Sequence, residues 1–156
     1  MIRACALALM LVLAVAAQES GAARWKSIDF LFGDWIGGGT GQPGAGSGKF
    51  SFRPELGGQV VMRRNFNELA RGDRHEDLMV IYAEGPGGAM HAMYFDTEGH
   101  VIRYRMSASG GDRVVFESEG EGPAYRLSYW LAGGELKGKF EVSGKTYLEW
   151  SAKKEN

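Results

Sequence analysis

The sequence predicts an all-β protein: a single antiparallel up-and-down β-barrel of about ten strands, closed at one end by a short N-terminal helical turn. Three observations carry this. Beyond Trp35 the apolar and polar residues alternate in short runs, and no stretch has helical periodicity. Nearly every run ends in turn chemistry, and the chain holds 24 glycines in 156 residues. The single cysteine, Cys5, lies in an apolar N-terminal segment, leaving the rest of the chain without a thiol. Such a domain has neither disulfides nor thiolate metal sites and must rely on its core and on backbone pairing, which a closed sheet completes.

Met1-Ile2-Arg3 is a short positive start, Ala4 to Ala17 is an apolar run, and Val15-Ala16-Ala17 offers the small residues a signal peptidase reads. Residues 1–17 are therefore expected to be a signal peptide, 18–27 a tether, and 28–154 the barrel domain. The run is too short for a comfortable membrane span, so the mature chain is expected to be secreted or periplasmic rather than membrane-inserted. Lys and Arg number 18 against 19 Asp and Glu, interspersed, for a net charge of -1. That balance implies neither a nucleic-acid partner nor a membrane surface.

Ile28-Asp29-Phe30-Leu31-Phe32 is too short for a free-standing helix but suits one turn that plugs a barrel end. Trp35 to Gly41 reads as the first strand, strongly bent by Gly37, Gly38 and Gly39, and Gln42 to Gly48 as a loop. Alternation then places strands at 49–55, 60–69, 75–83, 90–96, 100–108, 113–119, 124–131, 135–142 and 146–153. The breaks between them carry Gly-Gly, Gly-Asp, Pro-Gly and Ser-Gly turns.

Pairing across Ala132-Gly133-Gly134 sets Leu131 opposite Leu136, Leu127 opposite Phe140 and Arg126 opposite Glu141, joining apolar to apolar and plus to minus. The inward set is then Tyr125, Leu127, Tyr129, Leu131, Leu136, Phe140 and Val142, continuing to Leu148 and Trp150. Trp130 is left outside. In the middle strands the inward choice is Met79, Ile81, Ala92, Tyr94, Ile102, Tyr104, Met106, Val114 and Phe116, with Met62, Arg64 and Phe66 inward on the strand before. The opposite choice brings Arg63, Arg103, Arg105 and His91 into the lumen, where unpaired cations are costly. His91 is thus expected outside and solvated.

Phe30-Leu31-Phe32-Gly33-Asp34-Trp35-Ile36-Gly37 resembles the opening of the calycin superfamily, which holds the lipocalins and fatty-acid-binding proteins. The resemblance implies a Gly-x-Trp that meets a basic residue of the last strand across the closed end, here Lys153 or Lys154. The runs Phe50 to Pro54, Asp77 to Tyr82 and Tyr94 to Ile102 resemble secreted bacterial calycin-like proteins of uncharacterised function. That likeness implies a fold and little function. The first strand also resembles that of nitrobindin-type haem barrels, but Tyr147 to Asn156 lacks the histidine ligand those carry, so haem is not expected.

Gly39-Thr40-Gly41-Gln42-Pro43-Gly44 has the spacing of a dinucleotide fingerprint but precedes no helix, and Arg71-Gly72-Asp73 is explained by its turn. Two constellations remain. Arg64, as the inward guanidinium, with Tyr94, Tyr104, Tyr129 and Met79, suits a ligand with a carboxylate. The alternative is a buried ion pair of Arg64 with Asp77. His75, Asp77, Asp96 and His100 share one rim by parity and strand direction, and imidazole with carboxylate suits Zn²⁺ or acid–base work. The plainer use of Asp96 is to cap its own turn, so no metal or other cofactor is predicted. The leading expectation is a barrel binding a small apolar or amphipathic molecule. An enzyme using the rim, and an envelope interaction module with a filled lumen presenting Trp130, Leu78, Val80, Met93 and Phe95, are the alternatives. The oligomeric state is left open.

Overall fold

In a computed structural model of the chain, which describes residues 23–38, 47–68, 72–85 and 87–155, ten antiparallel strands close into one barrel. The strands are β1 (Gly33–Gly38), β2 (Ser47–Glu55), β3 (Val60–Glu68), β4 (Arg74–Ala83), β5 (Met90–Asp96), β6 (Val101–Gly110), β7 (Arg113–Ser118), β8 (Tyr125–Ala132), β9 (Glu135–Val142) and β10 (Lys145–Lys154). Each strand pairs with its neighbours in sequence, and β1 closes on β10. The expected signal peptide, the loop from Gly39 to Gly46 with its fingerprint-like glycines, and Leu69 to Arg71 lie outside the described residues.

The helical turn expected before Trp35 is reduced to a lone 3-10 turn at Asp29–Leu31. The base it sits in is tightly filled. Trp25, within the stretch read as a tether, is 1% exposed, and its indole Nε1 donates to the Gly58 carbonyl at 2.7 Å. Ile28, Leu31 and Trp35 are buried beside it, and Trp35 Nε1 donates to the Leu31 carbonyl at 2.7 Å. Lys154 Nζ lies 5.5 Å from the centroid of the Trp35 ring. Gly33 is favoured here by its backbone, since its φ is +124°.

The late register is the expected one, with Leu131 opposite Leu136, Leu127 opposite Phe140 and Arg126 opposite Glu141. Register shifts near Met106/Ala108 and Thr146/Leu148 mark bulges that bend β6 and β10 without reversing the inward placement of Phe116 or Trp150. Met79, Ile81, Ala92, Tyr104, Val114, Phe116 and Tyr129 all join the core.

One strand has the opposite phase. In β3 it is Val61, Arg63 and Asn65 that are buried, while Arg64 and Phe66 are exposed on the outer wall. The reason is loop parity. Arg63 pairs with Met79 and Glu68 with Arg74, so the β3–β4 link spans the odd-numbered stretch 69–73. An inward Met79 then demands an inward Arg63, because side chains alternate at every residue. The cost that weighed against a buried Arg63 is met by an ion pair with Asp77.

His91 is on the outer wall, as expected, but is not solvated. It is 6% exposed, stacked 5.9 Å from Tyr82, with Nδ1 3.1 Å from a Glu119 carboxylate oxygen. Long outer side chains therefore cover parts of the wall.

Candidate ligand site in the lumen

The inward side chains form two tiers, because the strand ends near the 3-10 turn carry large apolar groups and the opposite ends carry polar or half-filled positions. The lower tier (Trp25, Leu31, Trp35, Phe52, Val61, Ile81, Leu136) is buried. Toward the other end Tyr94, Ile102, Tyr125, Phe140 and Trp150 are only partly buried. Tyr125 stacks on Phe140 at 5.7 Å, and Trp150 meets Tyr129 edge-on at 5.8 Å. Trp150 lies so close over Gly138 that a Cβ there would stand 2.1 Å from its ring. At this end the inward side chains of β8 to β10 are thus aromatic and only partly buried.

Between the tiers lies a polar layer. The Arg63 guanidinium donates to Asp77, and Asn65 Nδ2 donates to the other Asp77 oxygen at 2.8 Å. Burial opposes the Asp77 charge, but Arg63, then the hydrogen bonds of His75 and Asn65, hold its carboxyl below the usual range. Burial likewise opposes the Arg63 charge, and Asp77 more than offsets it. His75 Nε2 is 3.3 Å from Asp77 and 3.4 Å from the Tyr94 hydroxyl, while Nδ1 is 2.9 Å from Glu98. The hydrogen bond to Asp77, helped by Glu98 against partial burial, raises the His75 pKa to about 9. Burial raises Tyr94 and Tyr104 far above the ordinary phenol value. It pushes Tyr129 up to about 12, against the pull of Arg63.

Among the described residues, two polar atoms in this layer have no hydrogen-bond partner. Arg63 Nε and the Tyr129 hydroxyl are both buried, in side chains 7% and 0% exposed, and neither is bonded. Tyr129 stands close enough to the guanidinium for Arg63 to oppose the rise of its hydroxyl, but it meets no partner at full hydrogen-bond geometry among the described residues.

Tyr94, Tyr104, Tyr129 and Met79 are therefore where the sequence places them, facing the lumen, whereas Arg64 is outside and Arg63 takes its position. The rim residues form two pairs: His75 with Asp77, and Asp96 with His100 at 2.8 Å. Glu98, which sequence reasoning missed, reaches His75, and with Asp96 and His100 it forms a group whose potential ligand atoms lie within 4.8 Å of one another. Asp96 Oδ1 accepts the backbone N–H groups of Glu98 and His100 at 3.1 and 2.8 Å, so this carboxylate caps its own turn. The His100 side chain is mostly exposed at that turn. His75 and Asp77 belong to the lumen network, and Asp96 and His100 to the turn beside it.

A cleft of about 500 Å³ lies against β1 to β5, lined by Arg64, Phe66, Leu78 and Phe95 and also by Asn65, Asp77 and Asp96. No protein-family model matches the chain, and no curated protein matches it.

Proposed function

We propose that this barrel binds a small, largely apolar molecule in its lumen, entering by the mouth between Tyr94, Tyr125, Phe140 and Trp150. The reading rests on one observation: large aromatic side chains face inward there and remain partly exposed, above a base in which Trp25, Ile28, Leu31 and Trp35 are buried. A barrel whose core merely filled itself has no reason to leave Trp150 and Phe140 half-covered, since each loses the free energy of burying its ring. The calycin resemblance and the export of the chain through its N-terminal segment belong to the same reading. Both fit a carrier or scavenger outside the cytoplasm.

The Asp96, Glu98 and His100 group supplies no comparable argument for catalysis. Its carboxylates are already engaged with backbone N–H groups and imidazoles.

Titration with Nile red, a neutral apolar dye, tests the proposal. Saturable fluorescence enhancement at one site per chain is expected, with Trp emission quenched through Trp150. Trp150→Ala weakens the binding while leaving the cooperative unfolding transition in place. Absence of saturable binding to the folded protein overturns the reading.

A further inference from the structure

Resting on that lumen reading, we infer that Arg63 and Tyr129 form a head-group subsite for a neutral hydrogen-bond acceptor, a ketone, aldehyde or ester carbonyl, and that the barrel discriminates against carboxylates. The observation is the pair of orphaned donors. Arg63 Nε carries one N–H that cannot be lost at any accessible pH, and the Tyr129 hydroxyl carries another. Arg63 pairs across the sheet with Phe52 and Met79, and Tyr129 meets Phe52 edge-on, so both donors stand among buried apolar side chains. Unbonded donors in such surroundings carry a desolvation cost that an acceptor oxygen between them removes.

The charge balance decides which acceptor. Asp77 already neutralises the guanidinium, with Asn65 bonded to the second carboxylate oxygen. Beyond it the charged groups facing this layer are His75, set between Asp77 and Glu98, and Asp96, set against His100. The guanidinium is already paired, so a ligand carboxylate brings a charge with no counter-ion and meets Asp77 across it. A carbonyl takes both N–H and O–H donors and brings no charge. This inverts the expectation drawn from sequence, in which an unpaired lumen arginine receives a carboxylate.

The experiment is displacement of Nile red by a homologous set of equal chain length: a methyl ketone, the corresponding alkane and the fatty acid. The ketone is expected to compete at least about tenfold better than either of the others, the worth of satisfied buried donors and of an avoided buried charge. Tyr129→Phe should lower ketone affinity about five- to tenfold and leave the alkane unchanged. Asp77→Asn removes the neutralising carboxylate at nearly constant shape, and should shift preference toward the fatty acid. Equal competition by ketone and alkane overturns the proposal, because the donors then hold internal water only. Fatty acid competing as well as ketone in the unsubstituted protein also overturns it. In both cases Nile red still binds, so the lumen reading stands. If Nile red itself fails to bind, the lumen reading falls and the subsite falls with it.

Discussion

Lys154 Nζ lies 5.5 Å from the centroid of the Trp35 ring, so a cation from the last strand covers the indole of the first. The contact sits at the closed base, where Trp35 also donates to the Leu31 carbonyl. It joins the 3-10 turn, the first strand and the last in one cluster and stands at the opposite end of the lumen from the mouth.

Trp35 is therefore structural. Trp35→Ala should lower stability by about 3–5 kcal/mol in urea unfolding, the cost of emptying a buried aromatic site. Nile red affinity of the folded fraction should be unchanged. Lost binding with an unchanged melting temperature would instead assign Trp35 to the site.

The two adjacent arginines should behave oppositely. Arg63→Ala leaves Asp77 buried without its counter-ion and should cost about 3–5 kcal/mol. Arg64→Ala, on the exposed wall, should change stability by less than about 0.5 kcal/mol. The double replacement Arg63→Met with Asp77→Leu should cost less than Arg63→Ala alone, because it removes both charges together. Equal effects at 63 and 64 would refute the phase of β3.

His75 makes stability depend on alkaline pH. Its pKa is raised from an ordinary 6.5 to about 9, chiefly by the hydrogen bond to Asp77. A raised value means the folded state holds the proton more tightly than the unfolded chain. The contribution is fully present below pH 6.5 and is lost as pH rises through about 9. With allowance for the partly exposed ring, the loss across that window should be about 2 kcal/mol, followed by chemical denaturation at stepped pH. His75→Gln should flatten the slope in this window, and a slope that persists unchanged would place its origin elsewhere.

Gly138→Ala probes the aromatic wall. The added methyl would overlap the Trp150 ring at 2.1 Å, so the indole must swing away. A loss of about 1–3 kcal/mol is expected, with a shifted Trp emission and weaker Nile red binding. A neutral substitution would mean that Trp150 is not held against the strand.

Most of the architecture was legible because the periodicity of strands and the chemistry of their turns are local signals. Leu127 opposite Phe140 and Arg126 opposite Glu141 follow from one Gly-Gly hairpin. The face of β3 was not legible in this way. Val60, Val61 and Met62 are apolar in both phases, and each phase brings one arginine inward. What decides between them is the length of the 69–73 link and the partner waiting at Asp77 on the next strand. An inward Asp77, already implied by Met79 and Ile81, calls for an inward cation on the strand beside it, and the pairing of Arg63 with Met79 settles which arginine that is. Trp25 was missed for a different reason. A lone aromatic ahead of the strands has no period, and its burial depends on the Gly58 turn, distant in sequence. The role of Glu98 also depends on a neighbouring strand, since its partner His75 lies across the β4–β5 hairpin.

The seam where β1 meets β10 is also the place where the two ends of the domain meet. Among the described residues it consists of four pairs, Trp35 with Lys154 through Gly38 with Ser151, against nine between β2 and β3. It is also the ladder with the greatest separation along the chain, so its closure carries the largest loop entropy and comes late in folding. A short ladder that forms last is the one that opens first, and the amides of Ile36 and Lys153 should exchange with solvent faster than those of β3 or β4. Closure of the cylinder is thus the least secure step in its assembly. The clamp of Lys154 on Trp35 acts there as a latch, and it sets how often the barrel breathes open into a curved sheet with two bare edges.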